Sequence, residues 1–445
     1  MNKILVIGAG RSATTLVEYL LDQAPQFNWL VTVADADLKL AEQKINNDPF
    51  GRPVRIDVTK PGDRRELIRQ ADVVVSLVPA HLHIHIARDC TELKKHLITA
   101  SYVSEQMYGL EKVVKSRSLI FMCEMGLDPG IDHMSAKKNI DEIYSNGGRI
   151  TAFRSFTGGL IAPECDDNPW HYKFTWNPLS VVLAGQGTAQ YLENGKYKYI
   201  PYTRLFKHCQ KVNIRGVGEY EVYPNRDSLL YRHAYGLNDV PNIIRGTIRH
   251  TGFCEAWDAL VNIGLTDNSF QILESGSMTY HELLEAFLKE KKGNLKDRVA
   301  RLTGLGADSD GMKKLEWLGI FTDKKIKLKQ ATPAGILVDV LEKKWALSQN
   351  DKDMILMQHE YEYTLEDQKF LMISTLAMKG ENRLRTAMSK LVGLPLGIFT
   401  KLVMVRKINT TGVQIPVKKE VYEPVMKELN SLGVRFYEKI EAIKK

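Results

Sequence analysis

An apolar run from Ile4 to Ile7 stops at Gly8-Ala9-Gly10, and after Arg11-Ser12-Ala13 an amphipathic pattern begins. This stretch limits the fold more than any other. It reads as a buried strand, a sharp turn and a helix start, which is the opening unit of a parallel α/β sheet. Gly8 permits the turn, Gly10 lets a ligand approach the backbone, and Ala13 allows close helix–strand packing. Free N–H groups and the positive end of the helix dipole suit a pyrophosphate. The turn therefore predicts a dinucleotide cofactor, with Gly8, Gly10, Arg11, Ser12 and Ala13 among its contacts.

The next segment, WLVTVA, reads as a second strand and ends directly at Asp35. A carboxylate roughly 20 residues beyond the glycines is placed to accept hydrogen bonds from ribose hydroxyls. It repels a ribose phosphate, so the expected cofactor is NAD, with NADP as the alternative. The competing reading of Asp35 is a cap for the following helix.

Strand-like runs at 4–7, 30–34, 54–57, 73–77, 96–99 and 119–122 alternate with helical patterns. The predicted class is α/β, with an N-terminal Rossmann domain, a doubly wound parallel sheet, over 1–125 and a C-terminal return to it at about 400–445. A second, mixed α/β catalytic domain is expected over 126–399, with a helical insert at about 270–350. Within it, strands are expected at 149–157, 197–201 and 219–223 and as a pair across 354–378. A helix over 386–402, interrupted near Gly393 to Pro395, and a last helix over 424–432 complete the reading. Ligands bind at the carboxyl ends of parallel strands. Asp57 and Val58 close the third strand near the adenine, Leu77, Val78 and Pro79 close the fourth beside the cleft, and Ser101 and Tyr102 close the fifth.

The net charge of +8 is spread over 445 residues without a concentrated basic tract, which argues against a nucleic-acid partner. The five cysteines are far apart and form no C-x-x-C pair, so neither a disulfide framework nor a structural zinc site is expected. No signal peptide is read at the N-terminus and no apolar run of about 18 residues is read as a membrane span. The chain is expected to be cytoplasmic, with no membrane partner, and is compatible with a homodimer.

EMGLDPGIDH brings acidic groups and a histidine to the rim of the cleft. Asp128 is a candidate catalytic or substrate residue, or a turn former before Pro129-Gly130. Asp132 is expected to cap the next helix. Tyr102 donates to substrate or packs at an interface. His81, His83 and His85 fall where a helix begins, so they do not share a face and no metal is expected. Arg226, in YPNRDS, and Arg245, before Gly246-Thr247, suit carboxylates through bidentate forks, or serve as structural ion pairs.

Taken together, VIGAG, SLVPAHLH, SYVS, EMGLDPGIDH, GGLIAPECDDNPWHYKF, YPNRDS, IRGTIRHTGF and KELNSLGV resemble the saccharopine dehydrogenase family, in its L-glutamate-forming branch. The resemblance implies an NAD(P)-dependent oxidoreductase on CH–NH bonds. It would interconvert saccharopine with L-glutamate and 2-aminoadipate 6-semialdehyde. By position it implies Ser101, Tyr102 and Asp128 as substrate and cofactor contacts, with Tyr102 or Asp128 relaying protons. Arg226, Arg245, Gly246 and Thr247 then form the carboxylate site, for a substrate with several carboxylates. The chain departs from fungal members at Arg11-Ser12, at Asp35, where they carry a basic residue, and at Thr157, where they carry a cysteine. Two alternatives remain in view. One is a carboxyspermidine-type dehydrogenase, which reduces an imine of an amino aldehyde and a diamine. The other is a non-catalytic NAD-binding protein.

Overall fold

A computed structural model describes residues 1–443. The first six strands are β1 (Asn2–Ile7), β2 (Trp29–Asp35), β3 (Gly51–Arg55), β4 (Val73–Ser76), β5 (His96–Thr99) and β6 (Ile120–Met122). The next eight are β7 (Arg149–Ile161), β8 (Thr188–Glu193), β9 (Lys196–Pro201), β10 (Gln210–Ile214), β11 (Gly218–Pro224), β12 (Asn242–Arg249), β13 (Asp353–Leu365) and β14 (Gln368–Lys379). Two short strands follow, β15 (Gly412–Gln414) and β16 (Tyr437–Ala442).

The chain forms two compact units, one of Met1–Gly147 with Gly380–Phe436, the other of Gly148–Lys379 with the residues from Tyr437 onward. The contacts thus divide the chain at 147/148 and 379/380, instead of at 125/126 and 399/400, because the helix Ile131–Ser145 and the whole helix Ala387–Met404 belong to the first unit.

The first unit is built on a parallel sheet in the order β15-β6-β5-β4-β1-β2-β3. Most of β1, and all of β4 and β6, are short apolar runs buried on both faces, as a sheet covered by crossover helices requires, whereas the edge strand β3 is partly exposed. The order reverses between β1 and β4, which sets the ligand crevice at their carboxyl ends. The third strand starts three residues and ends two residues earlier than its apolar pattern suggested, so Asp57 lies beyond it in a turn.

The helix Ala387–Met404 is continuous, with Pro395 inside it, and not interrupted there. It packs on the helix Ala13–Phe27 so closely that a Cβ on Gly393 would lie 2.6 Å from the Leu16 nitrogen. Its 18 residues have a mean hydropathy of 1.4, so by length and composition alone it is long enough to cross a membrane, contrary to the sequence reading. Most of it is buried inside the first unit, which makes it a core helix. The last helix, Lys419–Ser431, begins five residues before its expected start and carries Pro424 in its first turns.

The second unit has a mixed sheet in the order β10-β11-β12-β7-β13-β14-β16, with β8 and β9 attached through β12. Only β12 and β7 run parallel in it. The helical insert is present as four helices, Tyr280–Phe287, Leu295–Thr303, Asp310–Leu318 and Pro333–Lys344. They bury Leu283, Val299, Leu315 and Leu341 in one core with Trp170, Trp257 and Trp345. Most of GGLIAPECDDNPWHYKF builds this unit's interior. Gly158-Gly159 lies within β7, Trp170 packs edge-on to Trp257 and Trp345, and the buried Lys173 is held by Asp167 and Asp351, each at 2.7 Å.

Candidate functional site

In the first unit the turn after β1 is pinned from two sides. The Gly8 N–H donates to the Ala34 carbonyl at 2.8 Å, and the Leu77 N–H donates to the Ile7 carbonyl at 2.8 Å. Gly8 has φ +108°, and a Cβ there would lie 2.9 Å from the Leu77 oxygen, so the position requires glycine. A Cβ on Gly10 would meet nothing within 4 Å, so the space above the loop is open. That opening, at the start of the helix Ala13–Phe27, fits a pyrophosphate. Arg11 is exposed there, Ser12 is half-buried and Ala13 is buried against the sheet.

Asp35 stands at the end of β2, half-exposed. Its carboxylate accepts from the Ala9 N–H at 2.6 Å and from the Asp37 N–H at 3.0 Å. The following helix is capped by Asp37, whose side chain accepts from the Lys39 N–H. Asp35 is therefore not the helix cap; it rests against the glycine turn, where a ribose would lie. Asp57 is fully exposed and bonded to the Thr59 N–H and hydroxyl at 3.0 and 2.6 Å, which lower its pKa. Its role in the fold is a turn, and Val58 beside it packs on the core. Leu77 and Val78 are half-buried and Pro79 exposed along the β4 end of the crevice.

The sequence reading gave His83 only the start of a helix, which it is. The side chain also ties two strand ends together. Its Nδ1 lies 2.8 Å from the Ser76 hydroxyl at the end of β4, and its Nε2 lies 2.8 Å from the Ser101 hydroxyl just past β5. The signal was available: His83 shares a helical face with the buried Ala87 and Cys90. Burial, and secondarily the charge of His81, push its pKa down to about 4. The unfolded chain therefore binds a proton that the native state refuses. The stabilisation is complete above about pH 6.5 and is lost as pH falls towards 4, a difference on the order of 3 kcal/mol. Melting curves between about pH 7 and pH 4.5 should show a steeper acid loss for the wild type than for His83→Gln. Equal slopes would remove His83 from the account.

EMGLDPGIDH is knitted beside this network. The Glu124 N–H donates to the Ser101 carbonyl at 3.1 Å, and the Glu124 carboxylate accepts from the Val103 N–H at 3.0 Å. Its other oxygen pairs with His133 Nε2 at 2.8 Å, both groups buried. Tyr102 lies between these two anchored residues with its ring half exposed, at 53%. Asp132 sits inside the first turn of the helix Ile131–Ser145, not at its cap, and accepts from the Gly130 N–H at 2.6 Å. Asp128, half-buried, precedes a cis bond to Pro129 in the loop that Gly126 and Pro129 close at 3.0 Å.

In the second unit the two arginine motifs come together. β11 pairs antiparallel with β12, placing Tyr223 opposite Thr247 and Pro224 opposite Gly246, and the Asn225 N–H donates to the Arg245 carbonyl at 2.8 Å. Alternation puts Arg245 and Thr247 on one face, with Ser155 and Thr157 of the parallel neighbour β7 beside them. The other face carries the apolar cluster of Phe156, Val222, Ile248 and Leu356. Gly246 belongs to that apolar side, and a Cβ on it would strike Val222 at 2.3 Å, so close packing by itself requires glycine there. Arg245 is buried with its guanidinium 4.9 Å from the centre of the Tyr231 ring. Thr247 donates to the Asn225 side chain at 2.7 Å. Arg226 is exposed, and its guanidinium reaches the Leu183 carbonyl at 3.5 Å. The sequence singled out Thr157 only as the position of a family cysteine, and marked neither the Ser155 hydroxyl nor the buried His359, which lies 3.0 Å from Ser155. The Thr157 hydroxyl is buried without a hydrogen-bond partner among the described residues.

Two family models cover most of the chain, the Saccharopine dehydrogenase NADP binding domain over residues 4–122 and the Saccharopine dehydrogenase C-terminal domain over 126–434. A relative from Schizosaccharomyces pombe, named saccharopine dehydrogenase [NADP(+), L-glutamate-forming], is 33% identical, with 99% of each chain aligned. The alpha-aminoadipic semialdehyde synthase of Arabidopsis thaliana is 32% identical over 98% of this chain, which spans only 45% of that longer protein. Among solved structures, the apo L-Glu-forming saccharopine dehydrogenase of Saccharomyces cerevisiae superposes with a TM-score of 0.88 at 31% identity, covering 99% of this chain and all of that one. With both units matched and relatives aligned from end to end, the chain belongs to the saccharopine dehydrogenase family.

Proposed function

We propose that the chain oxidises saccharopine reversibly, converting it with NAD+ and water to L-glutamate, 2-aminoadipate 6-semialdehyde, NADH and a proton. The observation that carries this reading is the juxtaposition of YPNRDS with IRGT. It brings the loop of Arg226, just beyond β11, beside Arg245 and Thr247 of β12, and arginines in neighbouring segments suit a substrate with several carboxylates. Bound dinucleotide supplies the hydride acceptor for the carbon–nitrogen bond. Gly8, Gly10, Arg11, Ser12 and Ala13 hold its phosphates and Asp35 its ribose hydroxyls, with Leu77, Val78, Pro79 and Ser101 along the crevice. Arg226 and Arg245 fix substrate carboxylates. Tyr102 or Asp128 moves the proton of the substrate nitrogen, help worth on the order of 10² to 10⁴ in rate.

Following NADH absorbance in the purified full chain tests this. Saccharopine should reduce NAD+, and semialdehyde with L-glutamate should oxidise NADH. Turnover with diamines in place of glutamate would establish the carboxyspermidine-type reading instead. Dinucleotide binding without turnover of any amine would establish a non-catalytic protein.

Relatives are named for NADP(+), whereas a carboxylate at position 35 favours NAD. Asp35→Ser should shift the ratio of kcat/KM for the two cofactors towards NADP by at least about tenfold, near 1.4 kcal/mol. A wild type that strongly prefers NADP would overturn the NAD assignment. The five cysteines, all free thiols, suit the reducing cytoplasm.

A further inference from the structure

Cysteines spaced too widely to suggest a metal site in the sequence meet in the second unit. Cys209 immediately precedes β10, Glu221 lies on β11, and Cys254 is in the first turn of the helix Phe253–Ile263. The two sulfurs and a carboxylate oxygen lie within 4.8 Å of one another. From this cluster we infer a binding site for a soft divalent cation of the zinc type, held by the thiolates of Cys209 and Cys254 and the carboxylate of Glu221.

The donor set fits the chemistry. Two thiolates and a carboxylate are zinc ligands, and bonds of about 2.3 Å in a tetrahedron place neighbouring donors about 3.8 Å apart. Only a small contraction of the cluster is needed. Glu221 is already oriented, since one oxygen accepts from the Cys254 N–H at 2.7 Å and the other faces the Cys209 sulfur at 3.8 Å. Cys254 stands in the first turn of its helix, so its sulfur is held on a fixed backbone beside Glu221.

Charge favours the same occupant. Arg249 is the direct cross-strand partner of Glu221 and is buried. Its guanidinium lies against the rings of Tyr172, Tyr223 and Phe253, at 5.2, 5.8 and 5.3 Å. With both thiols protonated, the carboxylate and the guanidinium balance. A divalent cation that displaces both thiol protons leaves that balance unchanged, so the interior gains no net charge. The cation joins β10, β11 and the helix, and acts as a staple.

The test uses the full chain, reduced and stripped with a chelator, then titrated with Cd2+. The expected result is a sulfur-to-metal charge-transfer band that saturates at one cation per chain. The band should persist in Cys165→Ser and disappear in Cys209→Ser, and Glu221→Gln should weaken binding by about tenfold or more. Zn2+ should raise the melting temperature of the wild type and not of Cys209→Ser. X-ray absorption of the zinc-loaded wild type, which needs no variant to fold, should show two sulfur ligands at about 2.3 Å. Absence of the band, a band indifferent to Cys209→Ser, or a shell without two sulfurs would overturn the site. So would a thiol pair that closes to a disulfide with peroxide yet holds no cation.

Discussion

Gly130→Ala should be among the most damaging single-methyl changes in the chain. Gly130 has φ +145°, and a Cβ there would lie 2.1 Å from the Gly126 oxygen and 2.3 Å from that residue's carbon and nitrogen. Nothing flexible can yield, because all three atoms are backbone of a closed loop: the Ile131 N–H donates to that oxygen at 2.9 Å, and the Asp132 N–H donates to the Leu127 carbonyl at 3.0 Å. The combined strain and clash is expected to cost on the order of 4 kcal/mol or more. Denaturant midpoints of the full chain measure it. Gly10→Ala is the contrast. Its Cβ enters open space, so stability should hold to within about 0.5 kcal/mol while dinucleotide affinity falls, because the methyl fills the room above the turn. A Gly130→Ala protein as stable as the wild type would show that the loop relaxes in a way its hydrogen bonds forbid.

Arg226→Ala should raise the KM for saccharopine by about 10- to 100-fold, the worth of a charged hydrogen bond of roughly 1.5 to 3 kcal/mol. Dinucleotide affinity should not change, since the residue belongs to the other unit. Stability should not change either, because the side chain is exposed and its hydrogen bond to the Leu183 carbonyl is long. Arg245→Ala is a less clean probe: that guanidinium is buried over Tyr231, and its removal also leaves a void. An unchanged KM in Arg226→Ala would take that residue out of the carboxylate site.

What could be read from the residues alone follows a physical divide. The strands of the parallel sheet announce themselves because both of their faces are buried, so VVVS and the run to Ile7 are unbroken apolar stretches. β15 is three residues long and β16 is exposed along its whole length, so neither carries a periodic apolar signal, and both went unread. Motifs fared similarly. The glycine turn is local and legible. The meeting of YPNRDS with IRGT depends on the β11–β12 register, and the bond of His83 to Ser101 depends on two parallel strands lying side by side. Gly246 shows the converse: it sits between two polar residues in sequence, yet the period of a strand turns it to the apolar face.

The first unit is assembled from two stretches of chain separated by more than two hundred residues. As the polypeptide leaves the ribosome, the glycine turn and five of its neighbouring strands emerge early, but the helix Ala387–Met404 that covers Leu16 does not yet exist. The nascent segment must wait with that flank uncovered while the whole of the intervening unit is synthesised, and the latter can close most of its sheet first. Order of synthesis and order of completion therefore differ in this unit: the flank beside Leu16 can be covered only after the intervening residues up to Lys379 have been made.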